Sequence, residues 1–211
     1  MINLKKTVLA SLFLVSSAFA QDGGLKALLT DNASLGASVG MMSYVSSDSD
    51  MEFAYGVNYT KSINAVVGVQ AGFLSGALTN SSGTLDFSAL TAKGLVNLSN
   101  LSISTCADLK FYASAGASLM SVEDGGSALM PNLGGGLKYA ISDKHENMDI
   151  DLSASMGAGS VTNQKIDPHM MINLGLNYRF STKEESAEWN NPLDAMYGDI
   201  ATVKTEIEGL S

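Results

Sequence analysis

Histidine and cysteine, the side chains that most often anchor nucleophilic or transition-metal chemistry, are few in this chain, and they are scattered. It has two histidines, His145 and His169, and one cysteine, Cys106. A catalytic dyad or a zinc centre needs several such groups within a few ångström of one another. In the strand pattern traced below, His145 falls in a turn at one end and His169 at the start of the last strand, at the other end. At about 3.3 Å per residue, most of a strand's height separates them. Both are therefore expected to be solvated loop histidines sharing no metal and no catalytic centre. Cys106 cannot form an internal disulfide and is expected in a turn. Ser46-Ser47-Asp48-Ser49-Asp50 reads as a solvated turn before a weak cation site. Gly134-Gly135-Gly136 opens no helix, so it is not a phosphate loop; it reads as backbone crowding in a curved sheet. No catalytic residue, cofactor or metal is expected.

The recurring polar signal is different. Lys110, Lys138, Arg179, Asp149 and Asp151 form one group of charges at one level, and Glu52, Asp86 and Lys93 form another at a higher level. All are assigned to the phase opposite the apolar residues of their segments. Charges withdrawn from bulk water need partners. The expectation is a mutually paired cluster that fills an interior. The alternative is a narrow polar conduction path.

The elements that place these charges are period-2 segments, apolar on one face and polar or small on the other. Residues 169–180 are the clearest: Met170, Ile172, Leu174, Leu176, Tyr178 and Phe180 alternate with Met171, Asn173, Gly175, Asn177 and Arg179. Seven more precede it, near 34–45, 51–60, 64–75, 84–99, 108–120, 132–142 and 148–160. The fourth changes phase between Ala89 and Leu90, which predicts a β-bulge. Eight is an even number, as in bacterial single-chain membrane barrels whose termini share the periplasmic side.

Tracing the strands alternately up and down places Phe53, Phe73 and Phe87 near the outer ends. Tyr59, Phe111, Tyr139, Tyr178 and Phe180 then fall near the periplasmic ends, with aliphatic and small residues between. Two aromatic girdles around an aliphatic band are what a lipid-facing surface requires. The outer loops are expected at 46–50, 76–83, 121–131 and 161–168, and the periplasmic turns at 61–63, 100–107 and 143–147.

Residues 1–20 read as a secretory signal peptide. Lys5 and Lys6 precede a short apolar core, and Ala18-Phe19-Ala20 offers a small-x-small cleavage site. The chain carries 12 basic and 21 acidic residues, a net charge of −9. Loss of the leader removes Lys5 and Lys6 and makes it more acidic still. Nucleic-acid binding, which needs basic patches, is excluded as a reading. Residues 21–180 are assigned to the barrel. Residues 183–190 read as a polar linker, and Asn191-Pro192 as a helix start. Leu193, Met196, Ile200, Val203, Ile207 and Leu210 then recur at spacings of 3 and 4, an a/d seam of two and a half heptads. Such a seam is suited to a periplasmic partner helix or to self-association through 193–210.

The close of the last segment, Leu174-Gly175-Leu176-Asn177-Tyr178-Arg179-Phe180, resembles the final strand of the outer-membrane protein A (OmpA) barrel family. It is also similar to the terminal signal that the barrel-assembly machinery reads, carried here by Leu174, Leu176, Tyr178 and Phe180. Asn191-Pro192-Leu193-Asp194 resembles the linker that, in Bacteroidetes-type members, precedes calcium-binding repeats and a peptidoglycan-binding domain. Neither is present in these residues, so the resemblance brings no wall-binding residues with it.

The expected fold is an all-β, eight-stranded, antiparallel, up-and-down transmembrane barrel with a short C-terminal periplasmic helix. The expected role is structural and non-enzymatic, in the outer membrane of a Gram-negative bacterium, supporting the envelope or anchoring a periplasmic module. The alternatives are a narrow pore for small solutes or ions and, further off, a lipid-modifying enzyme.

Overall fold

A computed structural model describes residues 30–45, 50–80, 83–101, 108–122, 126–141, 147–161 and 164–209. The leader, residues 46–49, Cys106, His145 and Leu210 lie outside the described residues.

Eight strands, β1 Ala33–Tyr44, β2 Glu52–Ser62, β3 Val67–Asn80, β4 Gly83–Asn97, β5 Leu109–Val122, β6 Ser127–Ala140, β7 Met148–Val161 and β8 Gln164–Arg179, are followed by a helix, α1, Pro192–Gly209. Each strand pairs antiparallel with the next, and β1 pairs with β8, so the sheet closes on itself. Closure removes both sheet edges. The last link is backbone to backbone: Phe180 N–H donates to Ala33 C=O at 2.9 Å, just beyond β8.

Every strand carries its apolar phase outward. Leu35, Val39, Leu90, Leu133, Leu152, Ile172 and Leu174 all stand exposed, Leu133 at 67 %. The buried set is rich in lysine, arginine, aspartate and asparagine. This inverts a water-soluble barrel, and an exterior of this kind is stable only in an apolar surrounding. The strands run 11–16 residues, enough for the roughly 9–11 a tilted strand needs to cross a bilayer. Among the described residues no helix is long and apolar enough to do so.

Two regions depart from the expected element bounds. At the end of the barrel away from the chain termini (the distal end), β3 runs on to Asn80 and β4 begins at Gly83, β6 begins at Ser127, and β8 begins at Gln164. Three of the four distal connections, those after β3, β5 and β7, are therefore shorter than expected because the strands continue into them, while the one between β1 and β2 spans 45–51. The second departure is in β4, which keeps one register against β3 from Gly83 to Val96 and one against β5 from Phe87 to Asn97, without a bulge. The apparent phase change arises because Phe87 and Ala89 are apolar and face inward, while Leu90, Ala92 and Val96 are apolar and face outward. The register shift lies instead in β7, between Gly157 and Gly159.

Eight strands leave a bore that side chains can fill. Small inward positions make room for large ones opposite. A Cβ at Gly36 would overlap the Asn177 amide, and one at Gly136 would meet the Tyr112 hydroxyl at 2.8 Å. Gly136, in the glycine run 134–136, thus accommodates the Tyr112 ring.

Candidate functional site: a bore closed at both ends

The distal half of the bore is apolar. Met42, Leu78, Phe87, Met120, Met130 and Met171 pack there with Tyr44, Ala54, Ala89, Val122 and Ala128, all buried. Methionine's flexible thioether suits an irregular space of this kind. His169, expected in a solvated loop, points into this half and is buried, close to Gly157. Glu52 faces inward and accepts a hydrogen bond from the Thr79 hydroxyl at 2.6 Å.

Midway lies a polar cavity of about 70 Å³, lined by Asn58, Gln70, Thr91, Lys93, Asn173 and Asn177 among others. A polar space of this size is large enough to admit water. Gln70 bridges to Thr60 Oγ1 at 3.1 Å, across β2 and β3.

The half nearer the chain termini (the proximal half) holds the charges. Lys110 on β5 stands directly opposite Lys138 on β6, and Lys138 directly opposite Asp151 on β7. Like charges opposed across a ladder repel, and both lysines are buried, so anionic or acceptor groups must answer them. Arg179 meets Asp149 at 3.4 Å, and Asn177 donates to the same carboxylate at 2.7 Å. Tyr112 donates its hydroxyl to Asp151 at 2.9 Å, and its ring lies beneath the Lys138 ammonium at 5.7 Å. Lys110 donates to Asn100 Oδ1 at 2.9 Å. Asn100 belongs to a 3-10 turn, Ser99–Leu101, beneath β4 and β5.

The strands supply this level with three cations, Lys110, Lys138 and Arg179, but only two carboxylates, Asp149 and Asp151. The third comes from the segment read as a linker. Residues 181–191 fold back across the proximal mouth, and Glu188 reaches Lys138 Nζ at 2.6 Å. The backbone carbonyl of Glu188 accepts from Asn97 at 3.0 Å and from Asn100 at 2.9 Å. Ala187 N–H donates to Asn32 Oδ1 at 2.8 Å, and Asn32 adopts a left-handed conformation, φ 51°. Lys183 pairs with Asp108 at the rim. Trp189 is buried under this cover, and its ring faces Arg179 at 5.1 Å, Lys183 at 5.8 Å and Lys110 at 5.9 Å. Cations ranged about an indole face are each attracted by its quadrupole, most strongly where water is excluded.

Of the charges expected inside, Lys110, Lys138, Asp149, Asp151 and Arg179 share the proximal level, and Lys93 and Glu52 face inward above them. Asp86 does not join them: with β4 in a single phase, it points outward and is exposed. Most of the partnering falls to residues outside that group, namely Tyr112, Asn100, Asn177 and Glu188. The one cue to the docked segment is the chain's single tryptophan, standing in an otherwise polar stretch.

Among the expected girdle residues, Phe111, Tyr139 and Tyr178 are exposed at the proximal end with Tyr59 beside them, and Tyr178 meets Phe180 edge-on at 5.8 Å. Leu174 and Leu176 are exposed on the same strand. Phe53 is exposed distally and stacks with Tyr55 at 6.2 Å. Phe87 is not on the outer surface: it is only 3 % exposed and fills the distal bore. Phe73 sits at mid-height opposite Val57 and Leu90, because β3 runs on to Asn80. The distal ring is accordingly sparser than the proximal one.

No protein-family model and no curated protein sequence matches the chain. Among solved structures it is similar to Neisserial surface protein A, at 14 % identity and a TM-score of 0.56, over 70 % of this chain and 97 % of that one. The fold is that of the small outer-membrane barrels. The N-terminal β-barrel domain of Pseudomonas aeruginosa OprF matches over 70 % of this chain and 97 % of that one, at 16 % identity and a TM-score of 0.47. Ail of Yersinia pestis matches over 69 % and 95 %, at 17 % identity and a TM-score of 0.44.

Proposed function

We propose that this chain is a non-enzymatic structural barrel of the Gram-negative outer membrane, closed to solute flow, with both chain ends on the periplasmic side. The observation that carries this reading is the double closure of the bore. Methionine, leucine and phenylalanine crowd the distal half around a small cavity of about 40 Å³, while Glu188 and Trp189 cover the charges of the proximal half. A conduction path needs a continuous wet lumen, and a surface hydrolase needs an open cleft with a nucleophile and a base. The short distal hairpins offer little surface for a receptor or adhesin.

The resemblance of 174–180 to the last strand of OmpA-type barrels supports entry by way of the barrel-assembly machinery after cleavage of the leader. The resemblance of Asn191-Pro192-Leu193-Asp194 to the OmpA-type linker supports a role in presenting α1 to the periplasm.

Planar-bilayer recording of the purified full chain tests the proposal. It predicts no steady conductance. Charge-selective channels abolished by Lys138→Ala or Arg179→Ala would establish the narrow-pore reading instead. An altered lipid A in cells overproducing the protein would establish the enzyme reading.

A further inference from the structure

We propose that α1 pairs with the same helix of a second copy, parallel and in register, so that two barrels are joined beneath the membrane. The inference rests on the bilayer placement proposed above.

Met196, Ile200, Val203 and Ile207 are 59, 58, 53 and 63 % exposed, a continuous apolar stripe on one side of α1. The helix meets its own barrel at the Ser99–Leu101 turn, which leaves this stripe uncovered. Heptad counting along α1 puts Leu193, Ile200 and Ile207 at a, and Met196 and Val203 at d. All five are apolar, and two of the three a positions are β-branched, as two-stranded coils prefer. Gly198 and Gly209, the weak points of the helix, fall at f and c, off the seam.

The flanking positions choose the occupant. Asp199 stands at g and Lys204 at the following e. In a parallel in-register pair, g of one helix faces the next e of the other, so each Asp199 meets the second copy's Lys204, twice by symmetry. The bilayer imposes the same orientation, since two barrels in one membrane extend their helices from the same face in the same direction. A lipid surface is a poor occupant. The helix carries Asp194, Asp199, Glu206 and Glu208 against Lys204 alone, whereas surface-lying helices are basic on their polar face.

An isolated pair this short is marginal. Here two features help it. Asn191 Oδ1 caps the helix by accepting from Leu193 N–H at 3.0 Å, with Pro192 at the first helical position. Confinement of both roots to one membrane plane raises the effective concentration of each helix for the other.

The test uses full-length protein in native membranes, in a Cys106→Ser background, with Val203→Cys (at d) or Thr205→Cys (at f) and mild oxidation. Val203→Cys is expected to give the dimer mass at least tenfold more than Thr205→Cys. Lys204→Asp should lower that yield several-fold, and addition of Asp199→Lys should restore it. Equal yields at the two positions, or no dimer at Val203→Cys, would overturn the pairing, and failure of the double reversal would overturn the parallel register. The mobility shift of unheated protein in the same samples reports the barrel separately. An intact shift without cross-linking removes the pairing alone; absence of the shift removes the membrane placement with it.

Discussion

Glu188 lies 2.6 Å from the ammonium of Lys138, whose side chain is 2 % exposed. Glu188 comes from outside the sheet, and it answers a lysine that stands opposite another lysine, Lys110. Removal of one partner from a buried pair leaves an uncompensated charge, which costs about 3–5 kcal/mol in protein interiors. Glu188 is partly open to water, so Glu188→Gln should cost about 2–3 kcal/mol. The midpoint of urea unfolding in detergent micelles measures this. The double variant Glu188→Gln/Lys138→Met should lose less than the two single losses together, since neither charge then remains unanswered.

Trp189 is the chain's only tryptophan, so its fluorescence reports the docked segment alone. Folded protein should emit at short wavelength and resist aqueous quenchers. Glu188→Gln should raise quenching while the sheet's circular dichroism is unchanged. Trp189→Ala should lower stability by about 3 kcal/mol, the low end for a buried aromatic.

Leu133 is the outward residue that best separates the two solvents a barrel surface can face. On a water-exposed site, leucine to arginine is worth about ±0.5 kcal/mol. At mid-height in a bilayer it costs about 2–4 kcal/mol. Leu133→Arg should show the larger loss in refolding titrations into lipid vesicles, and a near-neutral result would place this surface in water.

The two closures occupy opposite ends of the bore. Deletion of residues 181–211 should leave the barrel electrically silent, because the methionine-rich distal half still blocks it. Single-channel recording of the truncated protein should show no openings. Steady openings after truncation would mean that the distal packing is permeable.

Deletion of Phe180 removes the aromatic that meets Tyr178 edge-on and disturbs the backbone bond that closes onto Ala33. The deletion should leave unfolded protein in the periplasm and reduce the heat-modifiable outer-membrane band several-fold. An undiminished band would detach Phe180 from assembly.

The outer face was legible in the sequence because alternation is a property of the extended backbone: Leu35, Val39, Leu133 and Leu174 carry it without reference to any distant residue. The strand ends were less legible for a related reason. Where the bore itself is apolar, at Leu78, Phe87, Met120 and Met130, both phases of a strand are apolar and the alternation disappears. The pattern then imitates a bulge in β4 and loops at the distal ends of β3, β6 and β8. The same ambiguity moved Phe87 to the wrong face and carried Asp86 with it.

The docked segment was hidden for a different reason. Glu188 is held by Asn97, Asn100 and Lys138, partners 50 to 91 positions away. No local periodicity carries such contacts, so 183–190 has the composition of a linker and the role of a lid.

A barrel in which β1 has already met β8 still carries one positive charge too many at its base until the final residues arrive. The lid follows every strand in the sequence, so only a chain that runs through to this segment reaches electroneutrality at its floor. A fusion or cleavage a few residues beyond Phe180 would therefore act as a lesion of the barrel itself, although it touches none of the eight strands.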